Sequence, residues 1–124
     1  MDNQTVKADF IVQKIILITL AVFLGAFVVN LGLYQLSLSD PYVQQVISLN
    51  GNQEMGRAMF KMNCAGCHGL QADGQVGPSL RGVSERRSRV SLIEQVISGS
   101  TPPMPQFQAS PQEMADILSY LETL

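Results

Sequence analysis

The 124-residue chain has no tryptophan, one histidine and two cysteines. That shortage excludes a structural zinc site, which takes four ligands of these types. The three present all lie within Cys64-Ala65-Gly66-Cys67-His68. Charge is missing too: none falls between Ile15 and Ser39, and no Lys or Arg between Lys14 and Arg57. A net charge of −2 offers no basic footprint, so nucleic acid is not an expected partner. Internal repeats and low-complexity tracts are absent.

The uncharged stretch is the first positive feature. Ile15–Val29 is almost wholly Ile, Leu, Val, Phe and Ala. About 20 residues at 1.5 Å each cross the hydrocarbon core of a bilayer, and 15–38 is long enough, with Gly25 and Gly32 tolerated as in other membrane helices. A buried soluble helix fits poorly, since the remaining chain is too short to wrap a helix apolar on all sides. A signal peptide fits less well. The run is long, and Leu24 before Ala26 and Asn30 before Gly32 spoil a small-residue cleavage pair. The expectation is an uncleaved membrane anchor. Lys7 and Lys14 precede it, which places residues 1–14 in the cytoplasm and the rest of the chain outside. Met1–Asp9 is polar and expected to be mobile.

Cys64-Ala65-Gly66-Cys67-His68 is the second. Two cysteines three apart, with histidine next, form the c-type haem attachment pattern. Thiols one helical turn apart can add across the two vinyl groups on one porphyrin edge, and the next residue then lies under the iron. A thioredoxin-like pair would need a strand before it, whereas Gly51–Asn63 reads as a helix. A structural disulfide or two unrelated thiols are the remaining alternatives. Ala65 and Gly66 are small, which would leave the thioether edge uncluttered; the competing reading is that the two positions are simply unconstrained.

Ser39-Asp40-Pro41 ends the apolar helix or starts another. Tyr42, Val43, Val46 and Ile47 share one face, so Pro41–Leu49 is either a short helix on the membrane surface or a plain tether within a 39–50 linker. From Gly51 on, the pattern predicts helices. The first is Gly51–Asn63, capped by Asn50 or Asn52, with Met55, Met59 and Phe60 inward. Asp73-Gly74 marks a turn in the loop Gly69–Gly77. Ser91 with Glu94 predicts a capping box for a helix through Ser98, closed by Gly99. Ser110-Pro111 with Glu113 predicts another, for a last helix whose buried stripe is Met114, Ile117, Leu118 and Leu121. The domain 51–124 is below the size that is stable without a staple. A covalent haem would supply one.

A haem held by His68 has a second axial face. Met1 lies across the membrane, Met55, Met59 and Met62 sit on a helix running toward the histidine side, and Met114 belongs to a core stripe. Met104 alone lies in a non-helical run, Pro102-Pro103-Met104-Pro105, whose prolines stiffen it at low entropic cost. A packed loop methionine is the competing reading.

Over 51–124 the chain resembles the class I c-type cytochromes. Gly56 and Phe60 stand before the attachment motif as in that family, and Ile117, Tyr120 and Leu121 match its last helix. The resemblance implies that these two helices cross closely at Gly56. It implies that the segment Gly77-Pro78-Ser79-Leu80 lines the haem, with the Pro78 carbonyl receiving the second ring N–H of His68 and Leu80 beside it. It implies His68 and Met104 as iron ligands, and Cys64 and Cys67 as the covalent attachment of one haem c. Anchor, linker and the run Val96–Phe107 are similar to membrane-anchored cyanobacterial members. The expected architecture is therefore all-α, a single transmembrane helix followed by a small class I cytochrome c domain.

The expected function is not enzymatic: single-electron transfer between redox protein partners at the outer membrane surface, in the periplasm or thylakoid lumen, with a terminal oxidase among the candidate acceptors. Alternatives are a haem-bearing subunit of an oxidase or other respiratory or photosynthetic complex, and a gas or redox sensor in which Met104 dissociates. Arg86, Arg87 and Arg89 form a local basic cluster, read as a solvated face before a docking site.

Overall fold

The computed structural model describes residues 2–38 and 40–124, with side chains for 9–36, 38 and 40–124. Met1 and Ser39, the first residue of the expected stop signal, lie outside the described residues. The described chain is all helical and divides into two compact units, Met1–Ser37 and Leu38–Leu124.

The first unit is one helix, α1 (Asp2–Leu38). Asp9–Leu36, 28 residues, is long and apolar enough to cross a membrane. At 1.5 Å per residue it measures about 42 Å, although a signal sequence meets the same two criteria. The expected mobile start is helical from Asp2. Propagating a formed helix costs little per residue, and nothing in Asn3–Ala8 breaks it.

The second unit begins earlier than Gly51. Helix α2 (Pro41–Ser48) starts on Asp40, whose Oδ1 accepts from the Tyr42 and Val43 N–H groups at 2.8 and 3.4 Å. Its apolar face is covered by protein: Val43 and Val46 are 2% and 1% exposed and pack toward the last helix, and the Tyr42 hydroxyl donates to the Ala109 carbonyl at 2.9 Å. An eight-residue helix is not stable alone. Burying two valines at about 1.5–3 kcal/mol each holds it. Val43 and Val46 thus tie residues 41–48 to the core, so the segment is not a plain tether, while Ile47, expected on the same face, is 38% exposed.

Helix α3 (Gln53–Asn63) takes Asn52 as its cap. It buries Gly56 and Phe60 but leaves Met55 55% exposed, so Met55 does not point inward as expected, while Met59 is half-buried. Short helices α4 (Ala65–His68) and α5 (Val83–Arg86) follow. Helix α6 (Arg89–Ser98) starts one turn before the expected box: Ser88 Oγ caps it by accepting from Ser91 N–H at 3.2 Å. The earlier start carries Val90 into the core, 6% exposed, which a helix beginning at Ser91 would leave in the loop. Gly99 closes it at φ +55, as expected.

Helix α7 (Pro111–Leu121) is the axis of the unit. Its capping box forms as predicted: Glu113 N–H donates to Ser110 Oγ, and Ser110 N–H donates to Glu113 Oε2 at 2.7 Å. Met114, Ile117, Leu118 and Leu121 are buried. α7 packs chiefly on α3, where Phe60 and Tyr120 meet edge-tilted, centroids 5.3 Å apart. At this crossing a Cβ on Gly56 would land on the Asp116 carbonyl, and one on Gly51 on that of Ala115. The crossing is glycine against backbone. Asp116 is a polar member of it that sequence patterning missed. Buried at 7% exposure, its Oδ1 accepts from Asn52 N–H at 2.7 Å and from Gln112 Nε2 at 2.9 Å, tying α7 to the start of α3.

Candidate functional site

The attachment motif grows out of α3 without a break. Cys64 N–H donates to Phe60 O, and both Cys67 and His68 N–H groups turn back to Cys64 O at 3.1 and 3.0 Å. One tight turn therefore presents Cys64, Cys67 and His68 in succession. Cys64 is half-buried and Cys67 exposed, both as free thiols rather than a disulfide. Burial pushes the Cys64 thiol up from its ordinary value, and the neighbouring Cys67 adds to the shift. Gly66 faces open space, but Ala65 is 6% exposed and packs into the core. Only one of the two small residues between the cysteines thus lies on an open edge.

The following loop folds back over the motif. Gly74 N–H donates to His68 O at 2.8 Å and Gly77 N–H to Cys67 O at 2.7 Å. Gly74, at φ +95, is where the expected Asp73-Gly74 turn needs a residue without a side chain. The straps bring the Pro78 carbonyl to 2.8 Å from His68 Nδ1. A carbonyl only accepts, so Nδ1 carries the ring proton and Nε2 keeps its lone pair for a metal. Gly77 lies under the ring: a Cβ there would stand 2.8 and 2.9 Å from His68 Cε1 and Nδ1. His68 is 8% exposed, and Leu80, half-buried, lies against the core beyond Pro78. Arg86 braces the same segment, donating to the carbonyls of Arg81 at 2.6 Å and Ser79 at 3.4 Å. Arg87 bonds to Ser91 Oγ, and Arg89 pairs with Glu122 at 2.8 Å, so the basic cluster is engaged within the chain.

Met104 sits in a loop fastened to α6. Its N–H donates to Thr101 O at 3.0 Å; beyond it, Phe107 N–H donates to Val96 O and Gln106 Nε2 to Ser98 O, both at 2.9 Å. Gln95 Nε2 lies 3.6 Å from Met104 Sδ. No sequence motif pointed to Gln95. A glutamine inside an amphipathic helix carries no spacing signal of its own.

These donors suit a c-type haem. The thiols are free to form thioethers, the imidazole has its outer nitrogen unoccupied, and a soft thioether stands in a separate fastened loop. Comparison with known proteins agrees. Residues 53–124 match the family described as Cytochrome c. A protein called cytochrome c-553-like, from Synechocystis sp. (strain ATCC 27184 / PCC 6803 / Kazusa), is 65% identical over 85 residues, 68% of this chain and 81% of that protein. Cytochrome c-554(547) of Halothiobacillus neapolitanus is 31% identical over 90 residues, 60% of this chain and 98% of that protein. Cytochrome cL of Hyphomicrobium denitrificans shares the fold, with a TM-score of 0.52 and 24% identity over 67% of this chain and 51% of its own. Since the match takes in the last three-fifths of the sequence, from the first turn of α3 to the final residue, the chain belongs to the cytochrome c family of electron carriers and holds haem c covalently through Cys64 and Cys67.

Proposed function

We propose that this cytochrome is a membrane-anchored, single-electron carrier in which His68 and Met104 are the axial ligands, with the domain on the outer face of the membrane. The haem supplies a one-electron iron couple. What the chain supplies is a fixed environment for it. The observation that carries the reading is the 2.8 Å contact between His68 Nδ1 and the Pro78 carbonyl. It commits the histidine to one tautomer and one ring orientation, as a resident ligand requires. Met104, held from both sides of its loop, gives the opposite ligand, and Leu80 and Pro78 line the histidine side. Two fastened ligands change little between oxidation states, and a thioether raises the potential relative to two nitrogen ligands.

The anchor reading rests on α1, whose apolar span exceeds the core of a secretory signal. Lys7 and Lys14 before it, and no Lys or Arg after it until Arg57, favour a cytoplasmic N-terminus and a haem domain in the periplasm or thylakoid lumen. In these features the chain resembles the cyanobacterial cytochrome M. Its donor and acceptor are redox proteins reached in or at the same membrane.

Two experiments test this. The oxidised protein should be low-spin with a sulfur-to-iron charge-transfer band and should not take up carbon monoxide when reduced. Met104→Ala should lose the band, lower the potential and admit carbon monoxide. Ready binding by the unaltered protein would favour the sensor over the carrier. Protease added to the cytoplasmic face of native vesicles should leave the haem domain whole, and its digestion from that side would reverse the topology.

A further inference from the structure

We propose that α2 is a bracket that keeps the haem domain on a short mount at the end of the membrane span, so that its partners are membrane-embedded proteins whose redox centres lie low over the bilayer. The inference rests on α1 being a membrane anchor. An anchor by itself leaves open how far from the bilayer the haem can travel.

That distance depends on how many residues separate the span from the first residue held in the domain. The apolar span ends at Leu36, and Leu38 already belongs to the second unit, half-buried against its core. The chain is helical through Leu38, so no slack precedes it. The Leu38 carbonyl accepts from Gln44 Nε2 at 3.1 Å, which fastens it to α2. α2 is fastened in turn by buried Val43 and Val46 and by the bond from Tyr42 to the Ala109 carbonyl. Its far end is closed as well. Gln112 Nε2, on α7, donates to the Asn50 carbonyl at 3.1 Å, and Asn52 N–H donates to Asp116. These eight residues also lie outside the stretch 53–124 that matches the cytochrome c family. They are an addition to the matched fold, placed where the chain leaves the membrane span.

The lengths decide the consequence. From Leu36 to Leu38 the chain covers at most about 7 Å. A unit the length of Leu38–Leu124 has a radius of gyration of about 12 Å and a width of about 30 Å. Together these hold every part of the domain within roughly 40 Å of the end of the span. A free 39–50 linker would add about 40 Å fully extended, or about 20 Å as a coil. On the short mount the haem is concentrated in a thin layer over the bilayer. A partner with its redox centre in that layer meets it at high effective concentration, and one that carries its centre higher does not.

The test uses the full-length haem protein in phosphatidylcholine vesicles with a fluorescent headgroup label. Protein recovered from cells should float with the vesicles; if it does not, the anchor reading falls and takes the bracket with it. A flexible Gly/Ser segment of about twelve residues is then inserted at one of two points. Placed between Ser37 and Leu38, it should lengthen the mount and reduce energy transfer from the label to the haem. Placed between Leu49 and Asn50, it should leave energy transfer unchanged, because α2 stays in the core and the added residues loop out. Equal losses from the two insertions would make 41–48 a tether and overturn the bracket, as would no loss from either. Should the second insertion not fold, chymotrypsin decides on the unaltered protein: the bond after Tyr42 should resist it, and ready cleavage there would overturn the bracket.

Native membranes test the partner, through the rate at which the reduced haem is reoxidised. Insertion between Ser37 and Leu38 should slow it about threefold, because the same haem is spread through a larger volume. A faster rate would put the partner's centre above the reach of the mount, and an unchanged rate would mean that the mount does not select the partner. Either result overturns the low-lying partner.

Discussion

The unit Leu38–Leu124 has two halves that are held together by different forces. At the α3/α7 crossing, Phe60, Met114 and Leu118 are at most 1% exposed and two glycines lie against carbonyls of the facing helix. In the loops Gly69–Leu80 and Gly99–Gln106, much of the surface is open, and position is set by individual hydrogen bonds ending at His68 and around Met104. Shape at the crossing is a matter of volume. In the loops it is a matter of direction. Damage to the first should therefore register as lost stability, and damage to the second as altered spectra and potential.

The largest effect is expected where volume is least forgiving. Gly56→Val places side-chain atoms where the Asp116 carbonyl already is, with Tyr120 Cβ 3.0 Å from the first of them. Overpacking costs about 1–3 kcal/mol, and because the obstacle is backbone the upper end, ~3 kcal/mol, is expected. Urea unfolding followed by far-ultraviolet circular dichroism measures it. A Gly56→Val protein with the midpoint of the unaltered one would mean that the crossing is not set by volume, and the contrast between the halves would collapse.

The crossing was also the more legible half. Gly56 and Tyr120 meet as the family resemblance implied, and Ser110, Pro111 and Glu113 gave the start of α7 to the residue. A capping box and the buried stripe after it are local or periodic, and both survive in a linear string. The misreadings have a common cause. Tyr42, Val43, Val46 and Ile47 were read as one apolar face, but a pattern does not say what covers it: the protein core takes Val43 and Val46, with Tyr42 against it, and leaves Ile47 exposed. Ser88 and Ser91 are both competent caps, and burial of Val90 decides between them. Asp116 and Gln95 look like ordinary solvated positions until Asn52 N–H and Met104 Sδ are placed beside them. On the loop side, the Cys64–His68 motif and Pro78 were readable from spacing and family resemblance. The straps from Gly74 and Gly77 were not, because they join backbone atoms and leave no mark on residue type.

Gly77→Ala sharpens the comparison from the loop side. Its Cβ would sit within 3 Å of His68 Cε1 and Nδ1, against a ring whose Nδ1 is tied to the Pro78 carbonyl. The expected stability loss is about 1 kcal/mol, the low end for overpacking, since this loop shifts more easily than a helix crossing. The larger signal should be electronic: a turned imidazole plane alters the electron paramagnetic resonance g-values of the oxidised form. A Gly77→Ala protein that loses as much stability as Gly56→Val, with unchanged g-values, would place Gly77 with the scaffold.

The smallest effect concerns the capping box at the start of the scaffold's main helix. Hydrogen bonds from Ser110, backbone first and hydroxyl second, hold the Glu113 carboxyl below its usual range, against small opposing effects from desolvation and Asp116. The sign follows from linkage. A depressed folded-state value stabilises the protein above the unfolded-state value, and that contribution is lost as pH falls through the folded one. Glu113→Gln keeps an acceptor for Ser110 N–H but cannot titrate. Urea midpoints of the two proteins should therefore differ most at neutral pH, with the unaltered protein higher, and should converge below the ordinary carboxylate range. The carboxyl is fully exposed, so salt should shrink the difference. If the two midpoints stay parallel through the acid limb, the box works through geometry alone, and α7 owes nothing to the charge at its first turn.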